Sequence, residues 1–387
     1  MKKNRTKNLQ TTQKANGSGK PWLILLWLLL PATALFVLEL FIRDPFLAEQ
    51  YARRVFPVVT YLPRSLMNFL PFSLAEVFVV VGVPALVLGA VFVIVRLIAK
   101  PGRAAFLLRL GKVALVLVSL AIPIFYLNFG YTYHRLPLAD NLELETRDRA
   151  KDDLHATTLW VAEEVNQLAA AMPRDESGLF EPSLTTQEIL SLADDAYKAR
   201  SEAGGNQFLT DHFHHGAVLT KPVSLSRFWS YTGITGIYVP FLVESSVNID
   251  TRPDEMMFTA LHEVAHSYGI AREDEANFLA FYCGILHEDP EMRYASWLMG
   301  FTHLNNALYG ASAELHAEIY ASLDPLAKAD LAARNDYWTK FEGPVQEVSS
   351  SVNNSYLIAN KQEDGVKSYG RVVDLIIAYY AEQGGLD

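Results

Sequence analysis

The chain is predicted to fold as three N-terminal transmembrane α-helices followed by a mainly α (α+β) domain, with a small β-sheet or hairpin just before its central helix. Three observations predict this. Apolar residues crowd into three long runs near the N-terminus, most of the remainder has helical periodicity, and one β-branched, aromatic stretch interrupts it. At 387 residues, half of them hydrophobic and with mean hydropathy +0.11, the chain is longer than a typical domain and more apolar than most soluble ones. Its formal charge of −10 argues against nucleic acid as a partner of the outer domain. A single cysteine, Cys283, excludes an intrachain disulfide and a thiolate cluster, and it reads as a small buried hydrophobe.

Residues 1–20 form a basic tail with Lys2, Lys3, Arg5, Lys7, Lys14 and Lys20. Trp22 to Ile42, Leu74 to Ile98 and Val113 to Phe129 are each about long enough to cross a bilayer, giving a three-span region over 21–131. Pro31, Pro84 and Pro123 are expected to kink or end the spans locally, while Glu39 and Glu76 lie near span ends, where a solvated carboxylate costs least. Trp22, Trp27, Phe125, Tyr126, Phe129, Tyr131 and Tyr133 lie where aromatic rings favour the membrane interface.

Orientation follows from the basic residues. The tail, with Arg96, Lys100, Arg103, Arg109 and Lys112 in the second loop, is expected to be cytoplasmic; Arg43, Arg53, Arg54 and Arg64 in the first loop, Arg43 to Ser73, blur the bias. Three crossings then place the third region, 132–387, outside the cytoplasm. Cleavage near Ala32-Thr33-Ala34 is an alternative that leaves the large domain on the same side.

The outer domain is expected to carry helices over Asp148–Met172, Thr186–Glu202, Asp254–Tyr268, Glu291–Tyr309, Ala313–Leu323, Leu326–Phe341 and Ser368–Gln383, with a further helix starting near Ala271. Gly233–Val243 and Ser246–Asp250 supply the sheet or hairpin, and Pro240 confines the first to an edge or a strand end. Such an edge can receive an extended peptide.

Within Asp254–Tyr268 lies His262-Glu263-Val264-Ala265-His266. Two imidazoles four apart on a helix point the same way and can share one metal ion, with Glu263 placed to reach a metal-bound water. An accidental match in such a chain is expected only about 0.01 to 0.02 times. Gly269 offers a C-cap, and the third ligand is expected from the next helix: Glu273, four residues before Asn277, or alternatively Glu275, about 200° around the helix. Asn277 would hydrogen-bond the back nitrogen of a ligand histidine. Tyr369 and Arg371, in a polar stretch near the C-terminus, are candidate donors to a developing oxyanion. His212, His214 and His215 read as a polar loop, and His287 and His303 as isolated histidines.

The helix pair resembles the glutamate-type zinc metallopeptidases (gluzincins), whose second helix carries E-x-x-x-D; Asn277 at the aspartate position is a departure. The strings from Ser230 to Tyr238, His262 to His266, Gly269 to Asn277 and Asp364 to Arg371 resemble the bacterial membrane proteins of domain of unknown function 3810. That resemblance covers nearly the whole chain and implies a bacterial source and a zinc-peptidase-like domain without an established substrate.

The expected function is a membrane-anchored zinc metallopeptidase. His262, His266 and Glu273 would hold Zn²⁺, and Glu263 would activate a zinc-bound water against a peptide or protein amide. The partners would be the lipid bilayer and that substrate. The alternative is a catalytically silent metal-binding sensor of the envelope, for which an intact Glu263 has no use.

Overall fold

A computed structural model describes residues 22–146, 150–213, 216–360, 362 and 371–386. The described chain is mostly helical, with one three-stranded sheet.

The N-terminal part contains α1 (Trp22–Arg43), α2 (Pro45–Arg54), α3 (Phe56–Asn68), α4 (Leu74–Ala99) and α5 (Arg103–Asn128). Three helical segments, Leu26–Arg43, Leu74–Ala99 and Arg103–Asn128, are long and apolar enough to cross a membrane. Pro31, Pro84 and Pro123 lie inside continuous helices. The third apolar helix starts ten residues before the apolar run, at Arg103, so Arg103, Arg109 and Lys112 belong to its first turns and only Lys100–Gly102 join it to α4. Long basic side chains can extend from a helix towards a polar surface, so charge does not end the helix where hydropathy does.

The segment between α1 and α4 is not a free loop. Pro45 starts α2 behind the Asp44 cap, whose Oδ1 accepts from the Phe46 N–H at 3.0 Å. Glu49 on α2 forms a buried ion pair with Arg135 at 2.8 Å, and Arg53 donates to Asn141 Oδ1 at 2.8 Å. Arg64 on α3 is buried and donates to the Ser267 carbonyl at 2.6 Å. Two of the four arginines that blur the charge bias are therefore structural. Glu76 is likewise buried instead of solvated, accepting from the N–H groups of Ser224 and Leu225 at 2.9 and 2.6 Å. Tyr131 and Tyr133 are buried too, and Tyr131 donates to the Ala34 carbonyl at 2.8 Å. These rings lock helices to one another, because a tyrosine hydroxyl that finds a backbone acceptor can be buried at little cost.

After a short 3-10 turn come α6 (Leu138–Leu142), α7 (Lys151–Ala169), α8 (Thr186–Ala203), α9 (Gln207–His212), β1 (Thr220–Val223), α10 (Ser226–Ser230), β2 (Gly236–Val239), β3 (Glu244–Asn248), α11 (Pro253–Ser267), α12 (Glu273–Gly284), α13 (Pro290–Ala311), α14 (Ala313–Ser322), α15 (Pro325–Thr339), α16 (Pro344–Ala359) and α17 (Val372–Glu382). The main core gathers on α7, α8, α11, α12, α13 and α17, and α11 is buried on nearly every face.

The sheet order is β1-β3-β2, with β1 parallel and β2 antiparallel to β3. β2 is therefore an edge strand. The central strand, Glu-Ser-Ser-Val-Asn, is fully buried although mostly polar, because each polar group has a partner. Glu244 pairs with Lys221 at 2.9 Å and accepts the N–H groups of Leu74 and Ala75 at the start of α4, while Ser245 donates to the Glu263 carbonyl at 2.8 Å.

Candidate metal centre

The site grows from the way α11 ends. Pro253 at its first position and Asp254 and Glu255 in its first turn suit a helix N-terminus. At the other end Gly269 adopts φ +82°, and the Ile270 N–H reaches back to the Ala265 carbonyl at 3.1 Å, a left-handed C-terminal turn. A Cβ on Gly269 would also meet the Phe56 ring at 2.9 Å. This turn aims the Ile270 carbonyl at His266, whose Nδ1 hydrogen-bonds it at 2.7 Å. It also reverses the chain, so that α12 begins at Glu273 beside the two histidines.

His262, His266 and Glu273 offer ligand atoms that all lie within 4.8 Å of one another. Glu273 Oε2 is 3.2 Å from His262 Nε2 and 3.6 Å from His266 Nε2. Both rings are oriented from behind, His266 by Ile270 and His262 by its Nδ1 contact of 2.9 Å to Asn277 Oδ1. With both Nδ1 atoms facing acceptors, each Nε2 is the atom that would turn a lone pair on a metal ion once its proton is displaced. Of the two carboxylates left open by spacing, Glu273 faces the histidines. Glu275 turns away and accepts from Arg272 at 2.7 Å and from the Leu138 N–H at 2.8 Å.

Burial alone would raise Glu273 and lower His266, but their mutual attraction wins: Glu273 is held well below the usual carboxylate range and His266 is raised to about 9. Two imidazoles and a carboxylate converging in this way could hold a shared cation, and the donor set fits a divalent metal ion.

Glu263 lies on the same helix, is buried, and has an Oε2 with no hydrogen-bond partner among the described residues. Burial pushes its carboxyl up to about 7, against the two imidazoles that lower it. β2 passes directly over it: a Cβ at Gly236 would lie 2.4 Å from Glu263 Oε1 and 2.6 Å from Thr259 Cγ2. An unpartnered buried carboxylate beside a convergent donor set is what a polar guest, such as a water on a metal ion, would satisfy.

These groups open onto a cleft of about 790 Å³ bounded by β2, the end of α5, α13 and α16. Among the further polar side chains that line it are Tyr356 and His303. Tyr356 accepts a hydrogen bond from the Tyr133 hydroxyl at 3.3 Å, which leaves its own proton to point elsewhere. His303 is half-buried, its shielded Nε2 has no partner among the described residues, and desolvation lowers it to about 4, so its imidazole is neutral.

His303 is thus a cleft residue and not merely an isolated one; its position on α13, far along the chain, gives no local spacing to betray it. Arg371 is tied to Asp274 at 3.1 Å and is not among the residues lining the cleft, because Asp274 lies one helical step from Glu273 and faces another way. Tyr369 lies outside the described residues, as do His214 and His215. His212 is buried, accepting from Arg135 at 3.2 Å and stacking on Phe208. Cys283 is buried, its thiol raised to about 12 by burial, as suits a packing role.

The model of the family described as protein of unknown function (DUF3810) matches residues 51–377, and the chain belongs to that family. Neither a curated protein nor a solved structure matches it.

Proposed function

We propose that this family member is a membrane-anchored, zincin-like zinc metallopeptidase that hydrolyses a peptide or protein amide outside the cytoplasm. The observation that carries the reading is the conjunction of the His262, His266, Glu273 triad with a buried, unpartnered Glu263 oxygen. When bound there, Zn²⁺ would lower the pKa of a water to about 7 and polarise the scissile carbonyl.

The side chains do the rest. His262 and His266 each contribute Nε2, kept in place by Asn277 and Ile270, and Glu273 contributes a carboxylate oxygen. Glu263 takes the proton of the attacking water and passes it to the leaving nitrogen; desolvation makes its carboxylate a stronger base than an exposed glutamate. Tyr356 and His303, both lining the cleft, are the candidate donors for a developing oxyanion. The free edge of β2 receives the substrate as an added strand.

The basic tail and the basic turns around Lys100 favour a cytoplasmic N-terminus, which with three crossings puts the cleft outside. The α2–α3 segment packs on the same domain that follows α5, as the two crossings between them, α4 and α5, require.

The test uses full-length protein in detergent. Elemental analysis should find about one zinc per chain, lost in His262→Ala. Turnover of a peptide library should vanish in Glu263→Gln with zinc retained. Zinc binding with no Glu263-dependent turnover on any peptide would favour the sensor; a centre that takes no zinc sinks both.

A further inference from the structure

The metal cleft is not the only cavity that β2 borders. On the side of the strand facing α4 lies a second one of about 670 Å³, walled by Phe78 and Val79 of α4, by Ile237 and Val239 of β2, and by Trp229. Thr232 is the only polar side chain in its lining. Ile234, Ile237, Val239 and Phe241 border both cavities, so the strand is the wall that the two share.

Strand geometry says what reaches each side. Gly236 lies over Glu263 and Tyr238 lies 6.4 Å from the His266 ring, so Ile237 and Val239 face the opposite way. A peptide paired with the free edge of β2 alternates in the same sense: one residue turns into the metal cleft, and its neighbours turn towards the second cavity.

That cavity is sized for a whole ligand and not for a single side chain. Its one hydroxyl, on Thr232, already donates to the Trp229 carbonyl at 2.6 Å, so a polar occupant would be desolvated with little compensation. One wall is the second turn of a helix apolar enough to span a membrane, with Phe78 and Val79 both more than half exposed. An aliphatic chain lifted from a bilayer along that wall would meet no water on its way in. Lipid tails are as apolar as the cavity, so entry would cost little, and the gain is position: the amide next to the chain is held at the metal.

Resting on the peptidase reading above, we propose that this cavity receives the acyl chain of a lipid-modified peptide, so that the substrate is anchored in the membrane by the same chain that places its amide in the cleft.

The experiment uses full-length Glu263→Gln protein in nanodiscs and reads binding without turnover. The probe is an extended peptide whose N-terminus carries a dibrominated stearoyl group, with the unacylated twin as comparison. The acylated peptide should quench Trp229, the quenching should be absent in Trp229→Phe, and Val79→Phe, which fills the cavity, should weaken binding by roughly tenfold. Three results would overturn the proposal: no quenching of Trp229, equal affinity for the unacylated twin, or quenching by dibrominated host lipid that the acylated peptide does not displace. Any of these leaves zinc-dependent hydrolysis untouched, whereas intact quenching with no hydrolysis in the wild type would remove the peptidase reading and leave a lipopeptide-binding site.

Discussion

Gly236 has no side chain where Glu263 needs room. A methyl group there would press on both Glu263 and Thr259, and neither can retreat, because Thr259 and Glu263 are successive turns of a helix packed on nearly every side. Gly236→Ala is therefore expected to keep zinc but to displace the Glu263 carboxylate by a fraction of an ångström, lowering kcat about a hundredfold; metal content and kcat on one preparation decide it. Asn277 acts through His262, which it orients without adding charge. Asn277→Ala should weaken zinc affinity roughly 10- to 100-fold in a chelator competition. Asn277→Asp, which would strengthen the acceptor, should bind zinc at least as tightly as the wild type. An unchanged affinity in the alanine variant would show that His262 is held by packing alone.

At the scale of elements, the α2–α3 hairpin braces the end of the helix that carries His262 and His266. Arg64 from α3 donates to the last turn of α11 at Ser267, and Arg135 donates to the Gly269 carbonyl at 3.2 Å, so two cations sit at the negative end of the helix that bears the histidines. Arg135 is itself held by Glu49 of α2. Burial would raise that carboxyl, but the charge and hydrogen bonds of Arg135, helped by Arg53, outweigh it and hold it at about 2 against an ordinary 4.5. A depressed folded-state pKa stabilises above the unfolded value, so this pair contributes fully above about pH 4.5 and its contribution, on the order of 3 kcal/mol, is lost as pH falls towards 2. Thermal unfolding of the detergent-solubilised protein should steepen over that window, and Glu49→Gln should flatten the acid limb while lowering Tm at neutral pH. Little of this was legible beforehand. α11 and α12 announce themselves through a histidine pair at helical spacing, a terminal glycine and a run of acidic and small residues, and β2 and β3 through β-branching. α2 and α3 sit between two apolar spans and read as a charged loop, since their partners lie 86 to 203 residues away. α16 was hidden for another reason: Ser349-Ser350-Ser351-Val352-Asn353-Asn354-Ser355 favours turns over helices by its own side-chain hydrogen bonding, yet it lies within a continuous helix, Pro344–Ala359.

For the whole molecule, the division into a membrane region and an outer domain starting at residue 132 cuts through packed structure. Removing residues 1–131 takes Glu49 from Arg135, Arg64 from Ser267, the Phe56 ring from the Gly269 turn, and the start of α4 from Glu244. Stranding the buried Arg135 alone costs about 3–5 kcal/mol, a large part of the 5–15 kcal/mol that holds a typical domain folded. Each of these contacts is made to the end of α11, to Arg135 that holds it, or to the central strand, so the loss falls on the elements that carry the candidate site. A polypeptide of residues 132–387 is therefore expected to be soluble only in part, to lack cooperative thermal unfolding and to bind zinc weakly, whereas the full chain in detergent unfolds in a sharp transition that added zinc moves upward. Differential scanning fluorimetry on both, with and without zinc, tests this. If 132–387 unfolds cooperatively within a few degrees of the full chain and shifts equally with zinc, the α2–α3 segment is packing on a finished domain. If it does not, the metal centre belongs to the whole protein, assembled where the first extramembrane hairpin meets the chain leaving α5.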